Sequence, residues 1–186
     1  MSNKIAVGAI ELSSVGVGYQ VQDALMKAAT TTLLIARTVC SGKYLLVYSG
    51  KIADVEEATA VALKVGGISV IDHLTVANVC QAIFPAMAQS VVLSPEEIGA
   101  LGVVETFSAT SALIAADFAG KAANVVLFRL SLAMALGGKG LLMLTGSQAD
   151  VETAVEAAKN ALKDRGTLAS AVVVSRPERE IFNEYL

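Results

Sequence analysis

The chain has 186 residues, of which 54% are hydrophobic and 17% charged, and it carries a formal net charge of −3 at pH 7. This charge provides no basic surface for nucleic acid, and glycines, Lys139 and Asp117 interrupt the longest apolar runs before they reach the roughly 20 residues of a membrane-spanning helix. We therefore expect neither a nucleic-acid partner nor a membrane partner. The mean hydropathy of +0.62 instead favours burial of surface against other subunits.

The cysteines and the first residues bear on location. The two cysteines lie far apart, and residues 1–14 contain no long apolar segment. We therefore expect no disulfide framework, no secretion signal and a reducing, cytoplasmic location.

An internal repeat is the most informative feature of the sequence. AVGAIELSS…DALMKAAT (6–30) recurs as ALGVVETFSA…DFAGKAAN (100–124). GKYLLVYSGKIADVEEA (42–58) recurs as GKGLLMLTGSQADVETA (138–154), with ten of 17 positions identical. Pro95, Glu96 and Glu97 interrupt the apolar pattern between the copies. The sequence therefore predicts two tandem domains, residues 1–95 and 96–186.

Both copies show the same order of predicted elements. Those of the first copy are a strand at 5–11, a glycine-containing loop, a helix at 19–30, strands at 33–39 and 44–49 around a Cys-Ser-Gly-Lys turn, a helix at 55–65 and a strand at 68–76. Those of the second copy are strands at 102–106, 125–133, 140–145 and 167–174, and helices at 113–123 and 151–163. Asp23 and Lys27 form an i,i+4 pair on the first helix, and Asp54 with Glu57 resembles a capping box. The βαββαβ order predicts an α+β chain of two ferredoxin-like domains, each with both helices on one sheet face.

Few residues are suited to catalysis. His73 is the only histidine, so a nucleophile–histidine pair would depend on it alone, and we expect it to be a strand residue with local partners. Gly16 and Gly18 lack the third glycine of a dinucleotide fingerprint, and a loop before a helix explains them better. We therefore predict that the protein is not an enzyme.

Two further groups have simple structural explanations. Glu11 and Glu105 lie at equivalent ends of duplicated strands, so we expect a shared structural role for them. Cys80 is expected to be a packed residue near a short helix. Cys40 remains, in the turn between two strands.

Several stretches resemble bacterial microcompartment shell domains. They are ELSS…DALMKAA, ARTVCSGKYLLVYSG and ADVEEA in the first copy, and VETFSA…DFAGKAAN and VVSRPERE in the second. The likeness covers both copies in unpermuted order and is greatest to tandem-domain shell proteins with a cysteine in the first copy. It implies a structural shell protein, a homotrimer whose six domains imitate a hexameric tile. Its implied partners are other shell proteins, met edge to edge, and encapsulated redox enzymes.

The resemblance also implies site residues. In that family the turn between the second and third strands lines the central pore. Carried over by position, the pore-lining residues are Cys40, Ser41 and Gly42 of the first copy and Leu136, Gly137 and Gly138 of the second. The tile edge would carry Lys27, Lys121 and Arg176, and the first copy lacks the Arg-Pro pair that follows the last strand of the second.

Cys40 is the candidate metal ligand. One cysteine per chain cannot hold an iron–sulfur cluster, but a three-fold axis would bring three together, and Gly42 lets the loop approach that axis. The resemblance implies one [4Fe–4S] cluster per trimer, for electron transfer or cluster transport across the shell. Two alternatives stay open: a tile whose pore passes small metabolites, and a small-ligand regulator on a ferredoxin-like fold.

Overall fold

The computed structural model describes residues 5–186. The elements of the first copy are β1 (Ala6–Leu12), α1 (Val15–Ala28), β2 (Thr32–Val39), β3 (Lys43–Gly50), α2 (Ile52–Gly66) and β4 (Val70–Val76). A short helix, α3 (Ile83–Met87), follows. The elements of the second copy are β5 (Ala100–Thr106), α4 (Ala109–Ala122), β6 (Val125–Leu132), β7 (Gly140–Gly146), α5 (Gln148–Leu162) and β8 (Leu168–Val174). The predicted βαββαβ order is confirmed in both copies.

Each copy forms a four-stranded antiparallel sheet. The strand orders are β2-β3-β1-β4 and β6-β7-β5-β8, which is the ferredoxin-like order. The registers correspond as well, because Ala9 pairs with Val47 in the first sheet and Val103 with Met143 in the second. The duplication therefore extends from the sequence to the backbone pairing.

The Cα positions divide the chain into two compact units. The first contains residues 5–79 together with Met134–Gly138, and the second contains Cys80–Ala133 and Lys139–Leu186. Helix α3 thus belongs with the second unit. The boundary between residues 95 and 96 separates sequence copies rather than these units, and it stays a prediction.

The core of the first unit lies between its sheet and its two helices. Alternate residues of a strand face the same side, so one face of β1 and β3 meets both helices, as predicted. The buried residues of this cluster are Ala6, Ile10, Leu12, Tyr44, Leu46 and Tyr48 from the strands and Val21, Leu25, Val55, Ala58 and Ala62 from the helices.

Helices α1 and α4 begin four residues before the predicted positions because serines cap them. Ser14 Oγ accepts the Val17 N–H at 3.3 Å, and Ser108 Oγ accepts the Ser111 N–H at 3.1 Å. The predicted loop at Gly16 and Gly18 is therefore wrong, since both glycines lie in α1.

Packing explains one of these glycines. A Cβ at Gly18 would lie 2.4 Å from Cγ of Tyr44, closer than a carbon–carbon contact allows. The glycine therefore lets α1 approach the sheet closely, and it does not end the helix.

The capping box predicted at Asp54 and Glu57 is also wrong. Helix α2 begins after Lys51, whose side chain makes no capping hydrogen bond, and Asp54 lies in the first turn, where its charge favours the helix N-terminus. In the second copy, Ser147 Oγ accepts the Asp150 N–H at 3.2 Å. Of the two equivalent helices, α5 of the second copy therefore has a side-chain N-cap, and α2 of the first copy has none.

The C-terminal segment covers the helix-free face of the second sheet. A 3₁₀ segment, Arg179–Tyr185, follows β8, and its fully buried Phe182 packs against Phe128 of β6 with ring centroids 5.9 Å apart. In residues 5–186, no helix combines the length and apolar character needed to cross a membrane.

Candidate functional site

The predicted pore residues of the first copy form a tight turn between β2 and β3. Cys40–Gly42 forms a tight turn in which Ser41 has φ 68° and Gly42 has φ 69°. This left-handed region costs a non-glycine residue about 1 kcal/mol. A Cβ at Gly42 would meet no atom within 4 Å, so glycine is favoured there by the backbone conformation and not by lack of space. Cys40 is a free, partly exposed cysteine at the start of the turn.

The predicted pore residues of the second copy lie beside this turn. Leu136, Gly137 and Gly138 belong to the segment Met134–Gly138, which is part of the first unit. Ser41 Oγ donates to the Gly137 carbonyl at 3.4 Å. A Cβ at Gly138 would lie 3.6 Å from the Cys40 carbonyl oxygen. The structure therefore brings the two predicted turns together, and their exposure to a pore stays a prediction.

A buried ion pair lies next to the turn. Lys43 Nζ is 2.7 Å from Glu11 Oε1, and the Glu11 side chain is fully buried while that of Lys43 is 19% exposed. Sequence reasoning assigned Glu11 a structural role but did not find its partner. The signal was present, because both residues recur in the second copy as Glu105 and Lys139.

The two copies differ at this pair. Glu105 and Lys139 are both partly exposed, and within the described part of the chain they form no ion pair. The copy with the cysteine is therefore the one in which the start of β3 is tied to β1 by paired charges.

A single chain does not provide a metal site within the described residues. From residue 5 to residue 186, no three His, Cys, Asp or Glu side chains cluster so that they could hold a metal ion. Cys40 and Cys80 belong to different units. A cluster bound at Cys40 therefore requires thiolates from more than one chain.

The predicted tile-edge lysines are both paired. Lys27 Nζ lies 2.7 Å from Asp23 Oδ2, which confirms the predicted i,i+4 pair, and Lys121 Nζ lies 2.6 Å from Asp117 Oδ2. Arg176 is exposed just after β8. Their position at a tile edge stays a prediction.

The surroundings of Cys80 and His73 fit structural roles for both residues. Cys80 is partly buried, and its Sγ lies 2.6 Å from where a Cβ of Gly120 would be, so it is packed as predicted. His73 is in strand β4, and its backbone N–H donates to Asp72 Oδ1 at 2.9 Å.

Comparisons with known proteins agree with one another. The family model for the BMC domain matches residues 6–79 and 100–177. The chain is 34% identical over 179 residues to the bacterial microcompartment shell protein PduT of Citrobacter freundii, covering 96% of each chain. It is similar to the crystal structure of a microcompartment protein from Desulfitobacterium hafniense DCB, with a TM-score of 0.85 and 34% identity over 95% of this chain and 97% of that one.

A more distant similarity is to the fused permuted hexameric shell protein MSM0275 of the RMM microcompartment. The TM-score is 0.64 and the identity 27%, over 86% of this chain and 82% of that one.

Proposed function

Because the chain belongs to the bacterial microcompartment shell protein family, we propose that it forms a homotrimeric shell tile whose central pore holds a [4Fe–4S] cluster. The family assembles into hexamer-like tiles. A chain with two such domains supplies six of them in three copies. The tile is structural and non-catalytic, and it meets other shell proteins along its edges and encapsulated redox enzymes at its pore.

The geometry of the Cys40 turn carries this proposal. Cys40 is partly exposed in a tight left-handed turn, and the equivalent turn of the second copy has no cysteine. A trimer therefore presents three such thiols around its axis, enough for three irons of a [4Fe–4S] cluster, while the fourth takes a ligand other than cysteine. When bound, the cluster supplies one-electron transfer.

The residues around Cys40 hold the turn. Ser41 Oγ bonds to the Gly137 carbonyl, and the Lys43–Glu11 pair fixes the first residue of β3 against β1. Gly42 leaves open space where a side chain would otherwise stand. These features support a thiol held at a defined position on a surface that other chains can approach.

The experiment combines oligomeric state and cluster content. Light scattering of the purified protein is expected to give three times the 19.1 kDa chain mass. Anaerobic reconstitution with iron and sulfide is expected to give visible absorbance, an electron paramagnetic resonance signal after reduction, and one cluster per three chains. Cys40→Ser should remove these signals, and the matched variant Cys80→Ser should keep them.

Three results would contradict the proposal. A trimer without a cluster would favour a pore that passes small metabolites. A cluster signal that survives Cys40→Ser would show that Cys40 does not hold the cluster. A monomer would contradict both tile functions and favour a ferredoxin-like regulator.

A further inference from the structure

The first helix of the second copy is covered by the segment that follows β4. The Cys80 N–H donates to Asp117 Oδ1 at 2.8 Å, while Lys121 Nζ donates to Asp117 Oδ2 at 2.6 Å. The Asp117 side chain is only 3% exposed. Helix α3 packs against β6 and α4 and buries Ile83 almost completely. Residues 80–87 therefore seal this surface.

The equivalent surface of the first copy is open. Asp23 and Lys27 form the same pair as Asp117 and Lys121, but the Asp23 side chain is 65% exposed. Lys27 bonds to Asp23 Oδ2, and among the described residues nothing donates to Asp23 Oδ1. Helix α1 buries three residues, whereas α4, of the same length, buries ten. Within residues 5–186, no segment therefore covers this surface of the first copy.

A second segment of the same kind follows β8. Val76 of β4 pairs with Val7 of β1, and Val174 of β8 pairs with Leu101 of β5. These pairs are equivalent, so the last strands can be aligned on them. The alignment places the Ile-Phe pair of residues 181–182 on that of residues 83–84, and it places Glu178 on Cys80.

The local backbone supports this equivalence. The Ile83 N–H donates to the Cys80 carbonyl at 3.2 Å, and the Ile181 N–H donates to the Glu178 carbonyl at 3.1 Å. Both segments therefore begin with the same hydrogen-bonded turn.

The C-terminal segment is anchored by one buried side chain and leaves its neighbour exposed. Phe182 is fully buried against Phe128, whereas its neighbour Ile181 is 46% exposed. Among the described residues the Glu178 N–H has no hydrogen-bond acceptor. The segment therefore presents an unpaired donor and an exposed apolar side chain at the positions equivalent to Cys80 and Ile83, which seal the second copy.

We propose that residues 178–186 of one chain cover α1 and β2 of a second copy of this chain. The Glu178 N–H would donate to Asp23 Oδ1, and Ile181 would pack beside Met26 and Leu33. This inference rests on the proposed trimeric tile and names the contact that closes it. Each chain offers one open surface and one C-terminal segment, so the contact is head to tail, and in the proposed trimer it closes into a ring.

One position differs between the two seals. In the second copy, Gly120 makes room for Cys80 Sγ, and the equivalent residues of the proposed contact are Met26 and Glu178. Methionine is unbranched and adapts its shape, and Glu178 is exposed and can turn its carboxylate toward Lys27. In the proposed contact between chains, the attraction between Glu178 and Lys27 therefore takes the place of the close packing of Cys80 Sγ on Gly120.

The direct test is a disulfide between chains. Cysteines at positions 23 and 178 (Asp23→Cys, Glu178→Cys), in a chain whose native cysteines are changed to serine, should come within the Cα separation of about 4.4–6.8 Å that a disulfide needs. Oxidation is expected to give bands of two and three linked chains on a non-reducing gel. The control pair, Asp23→Cys with Glu152→Cys on the exposed side of α5, should give single chains. A band of single chains for the first pair as well would overturn the inference.

A second variant separates this contact from the tile itself. Ile181→Asp changes an exposed side chain, so the far-ultraviolet circular dichroism spectrum of the folded chain should not change, while the trimer should dissociate at protein concentrations at least tenfold higher than for the unmodified protein. Ile68→Asp, at a fully exposed isoleucine outside the proposed surface, should leave dissociation unchanged. A trimer of unchanged affinity in Ile181→Asp overturns this contact alone. An unmodified protein that is monomeric contradicts the proposed tile.

Discussion

The substitution Lys43→Met would remove the ammonium partner of a fully buried carboxylate beside the Cys40 turn. Lys43 Nζ and Glu11 Oε1 are 2.7 Å apart, and at an effective dielectric constant of about 20 two unit charges at this distance attract by about 6 kcal/mol. Loss of hydration offsets part of this attraction. Removing one partner of a buried ion pair costs about 3–5 kcal/mol. We expect about 3 kcal/mol, since water still reaches part of Lys43.

Urea unfolding monitored by circular dichroism measures this loss as a lower midpoint at an unchanged slope. The matched control is Lys139→Met at the equivalent position, where the structure describes no ion pair, and its cost should stay below about 0.5 kcal/mol. The double variant Glu11→Gln/Lys43→Met should recover most of the loss, because no charge is then left buried. Equal costs for the two single variants would refute the stabilising role of the pair.

Two further predictions concern Tyr48. Gly8→Ala would place a Cβ 2.3 Å from Tyr48 Cε2, and we expect it to lower the free energy of unfolding by about 1–3 kcal/mol. The control Gly16→Ala, near the start of α1, should instead raise the free energy of unfolding by about 0.5 kcal/mol. Equal unfolding midpoints for the two variants would contradict this account. Burial raises the pKa of Tyr48 above its ordinary value of 10.0, so the folded protein keeps a proton that the unfolded chain releases, and stability falls as the pH rises above 10. Tyr48→Phe should therefore reduce the loss of stability between pH 8 and pH 11, and an unchanged loss would show that Tyr48 does not cause it.

The order of elements was predictable because two independent signals agreed. Each strand and helix has its own apolar period, and each pattern occurs twice, so an ambiguous segment in one copy could be read from the other. Residues 42–58 and 138–154 illustrate this, since their strand, turn and helix follow at the same spacing. The repeat therefore identified the βαββαβ order without any knowledge of long-range contacts.

Helix starts were harder to predict because they depend on tertiary packing. Gly16 and Gly18 are poor helix formers, so local propensity indicated a loop. Tyr44, which is distant in sequence, fills the space above Gly18, and Ser14 caps the helix before both glycines. A sequence pattern contains neither the ring position nor the cap geometry.

The turn residues of the candidate site were proposed from the sequence, but the ion pair beside them was not. Cys40 and the residues of both turns were identified, yet the charged pair of Glu11 and Lys43 joins residues on two different strands. The equivalent residues Glu105 and Lys139 have the same identities, and among residues 5–186 they form no such pair. Identity at equivalent positions therefore does not predict which copy buries its charges.

The covered Asp117 has a consequence for how such a protein would assemble. Its covering segment belongs to the same chain. Asp117 and this segment are therefore held at an effective concentration on the order of millimolar with respect to each other. The exposed Asp23 would instead need an encounter with another molecule. In a ring of three chains, half of the six Asp–Lys pairs would thus be covered as each chain folds, and only the other half would depend on protein concentration. Dilution should open the ring at Asp23 first and leave Asp117 covered in every released chain.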